Sequence, residues 1–304
     1  MASQAPIAIF CYRRPDHLRR TLQSLMQCEG FEGSPVFVFG DGPRNESEQA
    51  AVNTTRAVAC ELLGTNAQYH FSNSNRGLSA SVIDGVSTVI ERYGRVIVVE
   101  DDLVLNKFFV RFMNEALQRY EDDDIVFQVS GYAFESKEIA SRNQSVFLPF
   151  TTSWGWATWR RAWQQFDPAA RGWELLATNT ELRARFNLGG AYDYATMLER
   201  QMSGQLDSWA IRWYWSVFLK NGLVLFPPTS LVSNTGFDGS GTHGGGAFSQ
   251  FNQVFDYSAI KYPELPASAV LNPSVVAQAA GALRRQNGGV ITRCLDMVRR
   301  LFGR

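Results

Sequence analysis

The sequence predicts an α/β protein built around a mostly parallel β-sheet, and three observations support this prediction. Short apolar runs alternate with helical patterns through the first hundred residues, in the order β-α-β-α-β-α-β. The last of these runs, 96–99, has four consecutive β-branched residues, as in a strand buried on both faces. Because no repeat or clear linker interrupts the pattern, we expect one continuous domain of about 265 residues and a separate tail.

The elements of the first half have recognisable ends. Strands are expected over 7–10, 36–39, 69–71 and 96–99. Pro15 opens the first helix, because its fixed φ and missing N–H suit that position. Asn45 and Glu48 resemble a capping box for the second helix, which stops at Gly64. The third helix is expected over 78–93.

The second half is less regular. Strands are expected over 126–129, 146–148 and 223–226, and helices over 158–166, 180–186, 192–202 and 208–219. A polar, glycine-rich loop follows over 233–246. We therefore divide the chain into a first half, 1–105, a second half of the same domain, 106–265, and an extension, 266–304.

Three carboxylates, Glu100, Asp101 and Asp102, directly follow the 96–99 strand. Burying them without partners would be costly, so they are expected at the carboxyl edge of the sheet, where α/β folds bind ligands. Clustered carboxylate oxygens at such an edge suit Mg²⁺ or Mn²⁺, with phosphate oxygens completing the shell. The alternative is an acidic turn without a ligand. A second acidic run, 121–124, follows a helical pattern and is expected to be solvated.

Composition argues against several classes of protein. The 29 basic and 29 acidic residues cancel, so no global field favours nucleic acid. No apolar run approaches the roughly 18 residues that span a bilayer. The four cysteines show no CxxC spacing, and no signal-peptide pattern precedes the first strand. A cytoplasmic location is therefore expected.

Several segments occur in the order known from one enzyme family: 10–15, Asp41, 75–78, 98–103, 129–131, 153–156, 206–209 and 239–244. Together, over roughly 6–250, they resemble the GT-A glycosyltransferases, and within them the N-acetylglucosaminyltransferase I-like branch, as a bacterial relative. The resemblance implies a Rossmann-like nucleotide-binding half with a central sheet and an acceptor-binding half. It implies inverting, metal-dependent transfer from a nucleotide-sugar, with UDP as the expected nucleotide.

The resemblance also implies roles for particular residues. Asp102 would hold the metal, while Glu100 and Asp101 would hold the ribose or metal-bound water. Arg13 and Asp41 are candidates for contacting the base and ribose of the donor, and Arg76 for its diphosphate. His243, in the loop that would cover the donor, is a candidate contact to the diphosphate or metal. The alternative for Arg13 and its neighbour Arg14 is a solvated surface.

The acceptor hydroxyl needs a proton acceptor, which the family supplies as the second of two adjacent acids before a Trp. Here the pair is Asp207 and Ser208, and a serine cannot act as a general base at neutral pH. We expect Asp207 to take this role. The alternative for Asp207 is an N-cap of the 208–219 helix, which is compatible with catalysis. The alternatives are Glu174, Asp193 and Glu199.

Aromatic residues are candidates for the acceptor side. Trp154 and Trp156 are expected to form a platform for the face of a sugar, with core packing as the alternative. Trp209, Trp213 and Trp215 are expected in the core.

The tail has the pattern of a basic amphipathic helix. Residues 288–304 place apolar side chains on one side and arginines on the other. Such a helix suits an anionic membrane surface, on the inner face of the plasma membrane, or docks on the protein or a dimer partner. The expected acceptor is a glycan or lipid-linked glycan in surface polysaccharide or lipopolysaccharide synthesis.

Two other functions stay open. A nucleotidyltransferase on a similar α/β frame would need a glycine-rich loop after the first strand, and residues 11–15 contain no glycine. A glycan-binding protein without activity is the other, with Ser208 marking a lost base.

Overall fold

The computed structural model describes residues 4–236 and 260–286. The strands in these ranges are β1 (Ile7–Cys11), β2 (Val36–Gly40), β3 (Ala67–Phe71), β4 (Arg95–Glu100), β5 (Leu103–Leu105), β6 (Val126–Ser130), β7 (Val146–Leu148), β8 (Trp156–Trp159), β9 (Leu223–Phe226) and β10 (Val232–Asn234). The helices are α1 (Pro15–Met26), α2 (Gln49–Leu63), α3 (Leu78–Tyr93), α4 (Phe109–Arg119), α5 (Lys137–Ala140), α6 (Arg160–Trp163), α7 (Leu175–Thr178), α8 (Thr180–Phe186), α9 (Tyr194–Met202), α10 (Trp209–Leu219) and α11 (Pro273–Gln286).

The expected α/β class is confirmed. Eight strands form one mixed sheet in the order β3-β2-β1-β4-β8-β6-β9-β7, with β7 and β8 running against the other six. The chain places β2 and β3 on one side of β1 and β4 on the other. This reversal of strand order makes a topological switch point, and in open α/β sheets ligands bind just outside it.

The predicted helix over 158–166 is wrong in its first part. Trp156–Trp159 is a buried strand, and only Arg160–Trp163 is helical. Strand β8 pairs antiparallel with both β4 and β6, so that Ala157 lies opposite Ile97 and Val129. Residues 156–159 form a strand because they pair with β4 and β6 and are buried on both faces. The local helical pattern does not reflect these distant partners.

The two faces of the sheet are covered by different helices. One core cluster joins Ile97 and Val99 to residues of α1, α2 and α4. The other joins Val96 and Val98 to α3 and α10, and it contains Trp209, Trp213 and Trp215, as expected. Side chains alternate along a strand, so Glu100 is in phase with Val98 and lies on the α3 side.

Other expected elements are confirmed, and some lie outside the described residues. The strands near 126, 146 and 223 and the helix Thr180–Phe186 occur where predicted. His243 and the tail 288–304 lie outside the described ranges. Within those ranges, no helix is long and apolar enough to cross a membrane.

Candidate functional site

The loops that follow β1, β2, β3 and β4 lie together at the carboxyl edge of the sheet. The acidic triplet is at this edge, as predicted: Glu100 is the last residue of β4, and Asp101 and Asp102 follow it directly. Asp101 and Asp102 are buried there, 4% and 8% exposed, and Glu100 is half-buried. Burial of acids at this point requires partners, and these come from the loop after β1.

Arg14 is the cation that pairs with the acids. Its Nη2 lies 2.5 Å from Asp101 Oδ1 and 3.0 Å from Asp102 Oδ2, and the side chain is only 19% exposed. The backbone N–H of Tyr12 donates to Asp101 Oδ2 at 3.2 Å. The loops after β1 and β4 are therefore joined at the switch point by charge-assisted hydrogen bonds.

The backbone of the acidic turn is fixed from two sides. Thr21 of α1 donates its hydroxyl to the carbonyl of Asp101 at 2.8 Å. Strand β10 pairs with β5, which brings the N–H of Thr235 to 2.8 Å from the carbonyl of Asp102. A Cβ built on the next residue, Gly236, would lie 2.2 Å from Asp102 Oδ2, so the chain crosses directly over the acid.

Burial and the charges of neighbouring acids raise the pKa of two members of the triplet, Glu100 and Asp101. Burial, and then the charges of Asp102 and Asp101, raise the pKa of Glu100 to about 8, against the opposing effect of Arg14. Burial also raises the pKa of Asp101, with Arg14 again opposing it. A single guanidinium therefore faces three carboxyl groups, and the site favours a further cation.

The atom in this group that best fits a metal is Asp102 Oδ1. It is buried and has no hydrogen-bond partner in the described part of the chain. Carboxylate oxygens suit Mg²⁺ or Mn²⁺. No group of three His, Cys, Asp or Glu side chains among the described residues could hold a metal by itself. A metal here would therefore take water and donor oxygens as its other ligands.

Asp41 holds two of the loops together. Its Oδ1 accepts from the N–H groups of Gly42 and Arg76, both at 2.8 Å. Its Oδ2 accepts from the side chain of Asn75 at 2.9 Å and from the N–H of Gly77 at 3.0 Å. These four bonds occupy the accepting positions of the carboxylate. The expected contact between Asp41 and the donor stays a prediction, and it would have to compete with them.

Arg13 and Arg76 lie farther out than Arg14. Arg13 is exposed and pairs with Glu48 at 3.3 Å, while Arg76 forms an exposed ion pair with Asp84. The expected capping box is wrong, because Glu48 accepts from the N–H of Arg44 at 2.9 Å and from the hydroxyl of Tyr12. Those two bonds hold the pKa of Glu48 below its ordinary value.

Asp207 contacts the first turn of α3, next to the carboxyl edge of the sheet, and does not cap the helix that follows it, α10. The N-cap of α10 is Ser208, whose hydroxyl accepts from the N–H of Ile211 at 3.4 Å. Asp207 is exposed, and its Oδ2 accepts from the N–H of Ser79 in the first turn of α3 at 3.3 Å. The alternative role of Asp207, as a cap of the 208–219 helix, is therefore wrong: this residue of the second half caps a helix of the first.

The other candidate bases have different tasks. Asp193 accepts from the N–H of Thr196 and caps α9, and Glu199 pairs with Arg183 at 2.5 Å. Glu174 is exposed, just before α7. Among the four candidates, Asp207 is thus the one for which a contact with the loops at the carboxyl edge is recorded.

The two candidate sugar platforms differ. Trp156 is fully buried and stacks on Trp209, with ring centroids 4.9 Å apart. An acceptor role for Trp156 does not fit this burial, because a platform must offer a free face. Trp154 is half-buried and meets Tyr132 edge-on at 4.6 Å, so it remains a candidate.

Sequence reasoning missed several residues of the site. It treated Arg14 as a possible surface charge, and it gave no role to Thr21, Asn75 or Thr235. Nothing in the sequence distinguishes Arg13 from Arg14, because the conformation of the loop after β1 decides which of them contacts the acids. Asn75 lies within a segment that was singled out, 75–78, so a polar role there was open to prediction.

Two cavities lie away from this edge. One of about 310 Å³, at the opposite edge of the sheet, is lined by charged residues including Glu29, Arg111 and Glu115. These charges already pair with one another. The other, of about 390 Å³, lies beside α11 and is lined mainly by apolar side chains. Neither includes a residue of the acidic triplet.

No protein-family model matches the chain, and no curated protein matches it. The case for a function therefore rests on the residues and geometry of the site.

Proposed function

We propose that the protein is an inverting, metal-dependent glycosyltransferase of the GT-A type. It would transfer a sugar from a UDP-sugar to a glycan or lipid-linked glycan acceptor in surface polysaccharide or lipopolysaccharide synthesis. The observation that carries the proposal is Oδ1 of Asp102, which is buried and has no hydrogen-bond partner among the described residues, at the switch point of a mixed sheet that is mostly parallel at its core. The ordered resemblance of the sequence segments supports it.

The donor would lie along the carboxyl edge. A divalent cation at Asp102, when bound, would neutralise the charge of the departing diphosphate. Arg13 lies beyond β1 and Arg76 beyond β3, and both are exposed enough to reach a ligand. Their present partners, Glu48 and Asp84, hold them by surface ion pairs that contribute little stability and exchange readily.

The acceptor would be activated by Asp207. Its carboxylate takes the proton of the acceptor hydroxyl while that oxygen bonds to the anomeric carbon and the bond to the diphosphate breaks. Attack from the side opposite the leaving group inverts the configuration. The N-termini of α3 and α10 adjoin Asp207, and their partial positive charge suits a carboxylate. Trp154 is the proposed platform for the acceptor sugar.

Attachment to an anionic membrane through residues 288–304 is part of the proposal. Those residues lie outside the described ranges, and the basic amphipathic sequence supports this part of the proposal. Co-sedimentation with anionic vesicles tests it, comparing the full chain with a chain ending at residue 287. Equal binding of the two chains would contradict membrane attachment by the tail.

The decisive experiment measures release of nucleoside diphosphate from UDP-, GDP- and dTDP-sugars, with Mn²⁺ or with chelator. The wild type is expected to hydrolyse one donor slowly and only with metal. Asp102→Asn should lose this release, whereas Asp122→Asn, in the exposed acidic run after α4, should keep it. Metal-dependent nucleotide binding without turnover would favour the glycan-binding alternative, and no binding at all would overturn the proposal.

A further inference from the structure

Arg14 already occupies the position of a cation at the acidic turn. One nitrogen, Nη2, contacts both Asp101 and Asp102, at 2.5 and 3.0 Å. The second oxygen of Asp102, Oδ1, is buried and has no hydrogen-bond partner in the described residues. Asp102 thus presents one oxygen to a resident cation and a second that remains available.

A metal on Asp102 would face Arg14 at close range. A divalent cation binds a carboxylate oxygen at roughly 2.0–2.6 Å. Two positive charges on the two oxygens of one carboxylate repel each other, and strongly so where water is scarce. Gly236 lies over the pair, with a built Cβ only 2.8 Å from Arg14 Nη1, so that side offers the guanidinium little room.

We propose that Arg14 and a divalent cation exchange at Asp102. The metal displaces the guanidinium from Asp102, and Asp101 keeps Arg14 at the edge of the site. The displaced guanidinium then faces the bound metal and contributes a contact to the diphosphate of the donor. This inference rests on the proposed function, and it makes Arg14 a residue that positions the acids before metal binds and contacts the donor afterwards.

The test measures Mn²⁺ binding without any nucleotide, from the electron paramagnetic resonance signal of free Mn²⁺. Arg14→Gln removes the competing charge, so its affinity for Mn²⁺ should rise about tenfold above that of the wild type, a usual size for coupling between sites. Arg19→Gln is the matched control, because Arg19 pairs with Glu61 instead, and its affinity for Mn²⁺ should not change. Asp102→Asn should abolish binding.

A second titration follows UDP binding at saturating Mn²⁺. Arg14→Gln should then bind UDP about tenfold more weakly, because the guanidinium contact is lost. Tighter Mn²⁺ binding together with weaker UDP binding separates exchange from a purely structural role, which would weaken both.

Equal or weaker binding of Mn²⁺ by Arg14→Gln would overturn the exchange, while metal-dependent turnover by the wild type would leave the proposed function intact. Failure of the wild type to bind Mn²⁺ without nucleotide would overturn the exchange, and failure to bind it with UDP present would overturn both. If Arg14→Gln does not fold, Arg14→Lys decides the question. Lysine keeps the charge on a shorter side chain that does not reach the position of Arg14 Nη2, so it holds Asp102 less closely and Mn²⁺ should bind more tightly than to the wild type. Unchanged affinity would count against exchange.

Discussion

The carboxylate of Asp207 accepts a hydrogen bond from the backbone N–H of Ser79, 3.3 Å away, although 128 positions separate the two residues in the chain. The next residue, Ser208, and not Asp207, caps the helix that follows them, α10. Gly77 supports the same contact, because a Cβ built there would lie 3.0 Å from Asp207 Oδ2. This hydrogen bond joins the N-terminus of α3, in the first half of the chain, to the N-terminus of α10, in the second half.

Substitution at positions 207 and 208 separates catalysis from capping. Asp207→Asn keeps an oxygen that accepts from Ser79, so its free energy of unfolding should change by less than about 0.5 kcal/mol. Sugar transfer should fall by about 10²–10⁴-fold, because an amide accepts no proton. Ser208→Ala should lose about 1 kcal/mol of stability and keep its transfer rate. Urea unfolding and transfer assays measure both. Full activity of Asp207→Asn would leave Asp207 only its structural contact.

Asp41 should be needed for stability as well as for binding. Its two oxygens accept four hydrogen bonds, and an amide at this buried position would point its NH₂ group at two of the donors. Asp41→Asn should therefore lower the free energy of unfolding by about 3 kcal/mol. Asp84→Asn, which breaks an exposed ion pair with Arg76, should cost about 0.5 kcal/mol or less. Similar urea midpoints for the two variants would show that the network is not formed.

Gly236 should not tolerate a side chain. An alanine there would bring Cβ to 2.2 Å from Asp102 Oδ2, so Gly236→Ala should cost about 1–3 kcal/mol and weaken Mn²⁺-dependent donor binding. Gly281→Ala in α11 is the control. Its Cβ would meet only Arg285 Nη1 at 3.7 Å, and the helix should gain about 0.5–1 kcal/mol. Thermal unfolding measures both, and a neutral Gly236→Ala would contradict the close crossing.

Stability without metal should fall as pH rises, because burial raises the pKa of Glu100 from 4.5 to about 8. Between these values the folded chain binds this proton and the unfolded chain does not, so the free energy of unfolding decreases with rising pH. One such group contributes at most about 1.4 kcal/mol per pH unit. The glutamine of Glu100→Gln cannot ionise, so the free energy of unfolding of this variant should decrease less with rising pH than that of the wild type.

The measurement is urea unfolding in chelator at pH 5, 7 and 8.5. Glu100→Gln should gain stability relative to the wild type at each step to higher pH. Glu121→Gln, at an exposed acid beyond α4, should follow the wild type. Parallel curves for wild type and Glu100→Gln would mean that the carboxyl group is solvated in the folded protein.

Much of the fold was predictable because local apolar patterns reflect burial directly. Val96 to Val99 and the strand at 223 have no polar residue to obscure the pattern, and Gly64 and Gly94 end their helices as expected. The error at Thr158 has a different origin, because β8 exists through its pairing with strands some 30 and 60 positions earlier in the chain.

The sequence could predict which acidic residues gather at the carboxyl edge, but not which side chains they contact. The triplet after β4 identifies the edge where acids gather. Which arginine turns toward them depends on the loop conformation after β1, which has no periodicity. The same holds for Ser208 and Asp207: both residue types suit a helix N-terminus, and only the three-dimensional packing of α3 against α10 decides which helix each one serves.

The position of β8 between β4 and β6 has a consequence for how the chain can be divided. A fragment ending at Leu105 would contain the four parallel strands but would leave β4 as an edge, with the backbone groups that pair with β8 unpaired. Exposed apolar edge strands recruit other chains. We therefore expect the isolated first half to aggregate, and the two halves to fold only as one unit.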